Sequence, residues 1–267
     1  MIQINDPDHR SWGDISIPHG DEDQFKILYA EILDLDGSVL SKVNKRDMLT
    51  RNAFSNGAFY QDDLVTEFSL FWDRYPYRIR YAYQNEVYNF MYLARWSPPT
   101  YESFTPEKSV LEIDLPSNFK IKTSSDPQFQ YTEDLDVEDR KVLRWELGKH
   151  KISPRENFGP TGSETRTSVL VIPENFHYGI DGNLSTWKSY GDWFLELNKG
   201  NTQLTPTEKA KVDKILQEAS SERDKVQRLY HYLQDNTTYI NVNIDLGGLQ
   251  SYPASYVCEN KYGDCKA

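Results

Sequence analysis

The sequence predicts an α+β fold: an antiparallel, β-sandwich-like N-terminal domain followed by a short helical segment. Three observations carry this. Apolar residues recur at period two in many short runs up to about residue 175, punctuated by Pro, Gly and Asp. Near Trp187 the spacing changes to that of a helix. Thr205-Pro206-Thr207-Glu208 then forms a helix start, with Thr205 as N-cap, Pro206 at the first helical position and Glu208 placed to close a capping box. Many short strands with turn signals between them suit a sandwich better than a parallel sheet.

Taken in order, residues 25–45 alternate around Asp36-Gly37, a strong hairpin-turn dipeptide. Residues 64–72 and 77–83 are two further strand runs, separated by Tyr75-Pro76. Tyr77, Ile79, Tyr81 and Tyr83 fall on one face, and Arg78 and Arg80 on the other. Residues 87–96 read as the returning strand, stopped by Pro98-Pro99. Residues 110–115, 142–147 and 167–172 complete the strand set.

Trp187, Tyr190, Trp193, Phe194 and Leu197 sit at helical spacing, interrupted by Gly191 and stopped by Gly200. Val212, Ile215, Leu216 and Ala219 give the helix after Thr205 its apolar stripe, and Ser220-Ser221 breaks it. Val226, Leu229, Tyr230 and Leu233 form the stripe of a second amphipathic helix. Alternation resumes over 239–244, and the tail, with Gly247-Gly248, Pro253 and Gly263, reads as loop. The expected organisation is a β domain over 1–175, a linker carrying the Trp-rich helix over 176–204, and a helical segment over 205–267.

Composition narrows the function classes. The 267 residues carry 30 Lys and Arg against 41 Asp and Glu, a net charge of -11, which disfavours a nucleic-acid binder that neutralises phosphates. An aromatic content of 13% is too high for a disordered chain. No run approaches the ~20 apolar residues of a membrane span, and the first residues lack the basic and apolar regions of a signal peptide. Cys258 and Cys265, with no histidine near them, make a poor zinc site. Asp34-Leu35-Asp36-Gly37 resembles part of a calcium loop, but Lys45 stands where the bidentate Glu belongs, so a hairpin turn explains it better. The acidic residues at 133, 134, 136, 138 and 139 read as a solvated loop. Trp12, Trp72, Trp96, Trp187 and Trp193 have the chemistry to stack on sugars and equally that of core residues. Without a phosphate-binding Gly-rich motif or a metal-ligand cluster, neither cofactor nor metal is expected.

The segment Tyr262-Gly263-Asp264-Cys265-Lys266 carries the strongest chemical signal. Gly263 permits a close backbone approach, and a Cys opening a helix sits at the positive end of its dipole, which favours the thiolate. The same residue also fits a small buried apolar cysteine, the commoner fate of a free thiol. Here the sequence resembles a known family. IPENFHYGIDGNLSTWKSYGDWFLEL, QRLYHYLQDNTTYINVNIDLGGLQSYPASYV and YGDCKA resemble the stretch leading into the transglutaminase-like core of bacterial envelope proteins. In those proteins a β-rich domain of unknown function precedes the core. Ala30-x-x-x-Asp34-x-Asp36-Gly37, YPYRIRYAY and the Trp96–Pro98 turn resemble that domain more loosely.

The resemblance implies a papain-like core, truncated here, with Cys265 as nucleophile of a Cys-His-Asp triad acting on protein or peptide amides, in the periplasm or cell envelope. It places the Cys265 N–H in the oxyanion hole and offers Gln250 of the Gly-Gly-Leu-Gln loop as a second donor; a turn-capping amide is the other reading of Gln250. In such cores the His and Asp follow the Cys, whereas His9, His19, His150, His177 and His231 all precede Cys265. The expectation is therefore a chain inactive by itself, from an acyl-transferase-like or cysteine-protease-like parent. The alternative is a non-catalytic envelope binding or scaffold protein whose β domain takes a peptide or glycan.

Overall fold

The computed structural model describes residues 1–53, 60–61, 63–99, 105–135, 139–150, 158, 167–243 and 248–266. The fold is α+β, built largely from antiparallel strands. It divides into two compact units, Met1–Tyr88 with Leu195–Ala267, and Asn89–Phe194, which do not coincide with the segments expected from sequence.

The first unit begins with β1 (Ile2–Ile4), β2 (Asp14–His19), β3 (Gln24–Leu33), β4 (Val39–Lys42), β5 (Leu49–Asn52), β6 (Tyr60–Gln61), β7 (Leu64–Ser69) and β8 (Tyr77–Glu86). Two antiparallel sheets, ordered β1-β8-β3-β4 and β2-β7-β5, contribute to one core. Ile4, Ile32 and Ile79 from the first meet Ile15, Ile17 and Phe68 from the second, the sandwich-like arrangement the alternation predicts. The β3–β4 turn forms at Asp36-Gly37, where Asp34 accepts the Gly37 N–H at 3.1 Å and Gly37 takes φ +90°, a conformation only Gly adopts readily. A bulge at Leu28 adds one residue between the Ile27↔Tyr83 and Tyr29↔Ala82 pairs, so Ile27, Ala30 and Ile32 stay in phase on one face. On the other face Glu31 is buried beneath Lys42 at 3.0 Å and Arg80 at 2.7 Å, and these two cations hold its carboxyl below the ordinary range.

The second unit contains β9 (Ala94–Trp96), β10 (Ser109–Pro116), β11 (Ile121–Ser125), β12 (Gln130–Leu135), β13 (Arg140–Leu147), β14 (Val169–Pro173), β15 (Asn175–Tyr178), β16 (Ile180–Asn183) and most of α1 (Trp187–Leu197). Its sheets β10-β13-β12 and β11-β14-β9 share a separate core around Leu143, Trp145, Val169 and Val171. The strand expected over 87–96 is corrected: only β9 is strand, and it pairs with β14. Its partner comes from the second unit's own sheet, ordered β11-β14-β9, and not from β8. Of the acidic run, residues 136–138 lie outside the described residues.

The first unit resumes with α2 (Pro206–Gln217), α3 (Glu222–Asn236), β17 (Thr238–Tyr239), β18 (Val242–Asn243), α4 (Ala254–Asn260) and β19 (Tyr262–Gly263). The loop-like tail is also corrected, because α4 lies within it; Pro253 stands at its N-cap and Lys261, at φ +63°, closes it in the left-handed region. The run expected over 239–244 is interrupted after Tyr239, and residue 244 lies outside the described residues. β18 pairs in parallel with β6, tying this segment to the first strands. Along α3, Val226, Tyr230 and Leu233 are 69%, 58% and 55% exposed, so the predicted apolar stripe is largely uncovered. Among the described residues no helix is long and apolar enough to cross a membrane.

Close packing in the second unit yields a test. A Cβ at Gly182 would lie 2.3 Å from Phe176 Cζ and 2.7 Å from Trp193 Cδ1. Gly182→Ala is therefore expected to destabilise this unit by about 1–3 kcal/mol. A thermal midpoint followed by tryptophan fluorescence checks it; an unchanged midpoint contradicts the packing.

Candidate functional site

The segment bearing Cys265 is positioned from three directions. β19 pairs in parallel with β17 through Thr238↔Tyr262 and Tyr239↔Gly263, with Thr238 N–H donating to Lys261 O at 2.8 Å and Ile240 N–H to Gly263 O at 3.0 Å. This fixes the chain entering Cys265 to the strand that leaves α3. From α4, the Tyr256 hydroxyl meets that of Tyr262 at 2.6 Å, and Tyr252 stacks on Tyr256 with centroids 5.0 Å apart.

Asp264 organises the turn itself. Its side chain is 2% exposed, accepts the Lys266 N–H at Oδ1 (2.9 Å) and pairs through Oδ2 with Lys266 Nζ at 2.7 Å. A carboxylate accepting the N–H two residues ahead is the geometry of a helix N-cap. Cys265 is exposed on this turn. Cys258, on α4, is half-buried, and burial pushes its thiol pKa up, keeping it protonated and unreactive. The two cysteines thus differ in exposure, and the exposed one is Cys265, the residue singled out in the sequence.

Gln250 lies in the loop before α4, and its Nε2 donates to Leu197 O, the last residue of α1, at 2.8 Å. This is helix capping, the other reading of that residue. Two residues that sequence reasoning missed hold the same loop. Asn198 Oδ1 accepts Ser251 N–H at 2.9 Å, and Asn201 Nδ2 donates to Ser251 O at 2.7 Å. Their only sequence signal was the Asn-x-x-Asn spacing just past the end of α1, and it does not name Ser251 as the partner.

Beneath the segment lies Glu208, 5% exposed at the start of α2. Thr205 Oγ1 accepts the Glu208 N–H at 3.2 Å, as predicted. The Glu208 carboxylate, expected to close a capping box, is instead taken by the Tyr232 hydroxyl of α3 and by Lys211 Nζ at 3.0 Å. The Tyr232 bond, then Lys211, lowers the Glu208 pKa, while the same bond followed by burial pushes Tyr232 up to about 12. His231, on α3, is exposed, and His177 belongs to the second unit, where it pairs with Asp181. Among the described residues of the first unit, His231 makes no hydrogen bond to Cys265.

A family model described as a domain of unknown function with a solved structure, DUF3857, matches residues 1–152. No curated protein matches the sequence. A crystal structure described as a putative protease from Parabacteroides distasonis is similar with a TM-score of 0.67 at 15% identity, over 95% of this chain and 48% of that one. The chain thus spans about half the length of that structure, and at this identity the likeness shows the fold alone.

Two outcomes follow from these environments. The Glu208 carboxyl has a folded pKa below its ordinary 4.5, so its stabilisation is present above that value and is lost as pH falls through the folded pKa. Tyr232 has the opposite sign: its stabilisation is full below the ordinary 10.0 and is lost as pH rises toward about 12. Tyr232→Phe should cost about 1.5–3 kcal/mol at neutral pH and flatten both limbs of stability against pH, measured by urea unfolding. Peptide mapping after brief iodoacetamide treatment at neutral pH should find Cys265 labelled about tenfold faster than Cys258; equal rates would contradict their environments.

Proposed function

The chain belongs to the DUF3857 family, and from that premise we propose that residues 205–267 open a transglutaminase-like core in which Cys265 is the nucleophile, after a β-rich region and a linker over 176–204. The observation that carries this reading is the Asp264 side chain, which accepts the Lys266 N–H and so sets Cys265 where the first residue of a helix would stand. In the proposed core a helix starting there would put its positive end at the sulfur, and the exposure of Cys265 leaves it open to a substrate. The uncovered stripe of α3 also supports the reading, because a helix of a larger core needs a partner on that face. So does the likeness to a structure about twice as long that is described as a putative protease.

In this reading the Cys265 thiolate attacks a protein or peptide amide carbonyl, forming a C–S bond and a tetrahedral oxyanion. By resemblance the Cys265 N–H would stabilise that oxyanion with Gln250 as the candidate second donor, although the bond Gln250 makes in the structure is its donation to Leu197 O. Collapse breaks the C–N bond, the amine leaves with a proton from the base, and a thioester remains for water or another amine to accept. The base histidine and its orienting carboxylate belong to the other half of a longer protein, by resemblance to transglutaminase-like cores. A second reading, a non-catalytic binding or scaffold module, draws on Gln250 and Asp264, since both also serve as local caps.

The test uses the complete native protein and its Cys265→Ala variant. Amine release from a peptide-amide panel should fall by at least about 10³-fold with unfolding unchanged. Equal turnover by the variant removes Cys265 from catalysis, and no turnover by either protein favours the scaffold reading.

A further inference from the structure

We propose that the second unit takes a basic, extended peptide as an added strand along β12. In the sheet β10-β13-β12, β13 is central and β12 pairs with it alone, in unbroken register from Gln130↔Glu146 to Leu135↔Lys141. Among the described residues no backbone bond crosses the other edge of β12. Alternate N–H and C=O groups of that edge point away from β13, and they are the template on which a further strand forms. Residues 130–134 are all exposed, so the edge is open among the described residues. The strand carries neither a Pro nor a bulge, two of the devices that close an edge. β10, at the far side of the same sheet, differs: it ends at Pro116, and its Ser109 and Leu115 are buried.

Charge selects the partner. Every other carboxylate on this sheet has a cation. Glu112 and Glu146 share Arg144 at 2.8 and 3.0 Å, Glu146 also meets Lys108 at 2.7 Å, and Asp114 meets Arg140 at 2.8 Å. Glu133 and Asp134 of β12 have no cation among the described residues; Glu133 accepts the Tyr131 hydroxyl at 2.8 Å. Successive residues of a strand point to opposite faces, so a complementary strand presents basic residues at two successive positions, one on each face. Tyr131 adds a further requirement. It shares the Glu133 face, its ring stands 5.1 Å from that of the buried Trp145, and it is 47% exposed. A β-branched side chain directly opposite covers it. The occupant is thus a peptide with two adjacent cations and, two residues beyond the nearer one, an apolar β-branched residue.

A second copy of the chain fits less well. Pairing β12 with β12 brings two Glu133-Asp134 pairs to one ladder, and like charges across strands are destabilising. The acids therefore guard the edge against its own kind while leaving it open to a basic segment.

The test titrates the whole isotope-labelled chain with capped Lys-Lys-Thr-Val-Thr and its reverse, Thr-Val-Thr-Lys-Lys, which set the cations for an antiparallel and a parallel strand respectively. At least one should shift the backbone amide resonances of residues 130–134 saturably, with a Kd of about 1 mM or tighter. Glu133→Gln with Asp134→Asn, both on the surface, should weaken that binding at least about fivefold with an unchanged thermal midpoint. Two further peptides carry N-methyl groups on one or the other alternate set of nitrogens; the one blocked on the β12 side should lose binding and the other keep it, because the charge is the same in both. No shift with either sequence at about 10 mM overturns the proposal. So does unchanged binding by the double variant, equal binding of Glu-Glu-Thr-Val-Thr, or full binding by both N-methylated forms, which is charge attraction without strand addition. Shifts of the same amides with protein concentration alone overturn it in favour of a second copy.

Discussion

Burying a carboxylate costs several kcal/mol unless its charged form is given partners, and Glu208 is the buried acid around which the helices of the first unit are arranged. Its two oxygens are divided between α3, through Tyr232, and the next turn of α2, through Lys211. Lys261, which closes α4, adds an attractive charge, and the Cys258 thiol feels the same carboxylate. One ionised side chain therefore ties α2 to α3, within electrostatic reach of Cys258 and Lys261 of the α4 end. The β17–β19 pairing starts just after Lys261 and carries the chain on to the Cys265 turn. Replacing Glu208 with an apolar residue would remove the partner that Tyr232 needs, and a buried hydroxyl without an acceptor is itself destabilising.

Period two made most of the strands legible, because alternation reports one buried face whatever the neighbour is. Tyr77, Ile79 and Tyr81 against Arg78 and Arg80 sort as the sequence implies, with the two arginines on the face where Glu31 is paired. What alternation cannot report is the neighbour. The Val169–Pro173 strand is as plain in the sequence as the Tyr77–Glu86 strand, but nothing in either run says that they serve different cores. That depends on sheet order, a long-range property, and it is why one expected β domain becomes two sandwich-like cores.

The helical segment shows the same division between local and non-local information. Thr205 and Pro206 mark a helix start through contacts within four residues, and the start is where they put it. The Glu208 carboxylate obeys a longer-range rule: Tyr232, on the next helix, competes for it with the N-cap backbone and wins because both groups are shielded from water. The short helix Ala254–Asn260 was missed for a third reason. Seven residues are too few for a periodic signal, and Pro253, read as a loop marker, is equally a residue that precedes a helix.

At the candidate site the residue type was legible and its setting was not. Cys265 stood out in the sequence through its Gly-Asp-Cys setting, but the burial that separates the half-buried Cys258 thiol from it is visible only in the structure. The residues that set Cys265 in place, Asp264, Tyr262 and Thr238, carry no chemistry of their own; they act through backbone hydrogen bonds and a turn. Gln250 likewise holds the preceding loop by capping the end of α1, and Asn198 and Asn201 hold it through the Ser251 backbone. The proposed nucleophile, positioned by capping and strand pairing, is held by the same bonds that hold the fold. The turn is thus set before any substrate, base or further domain takes part, which is the preorganisation that the proposed role of Cys265 requires.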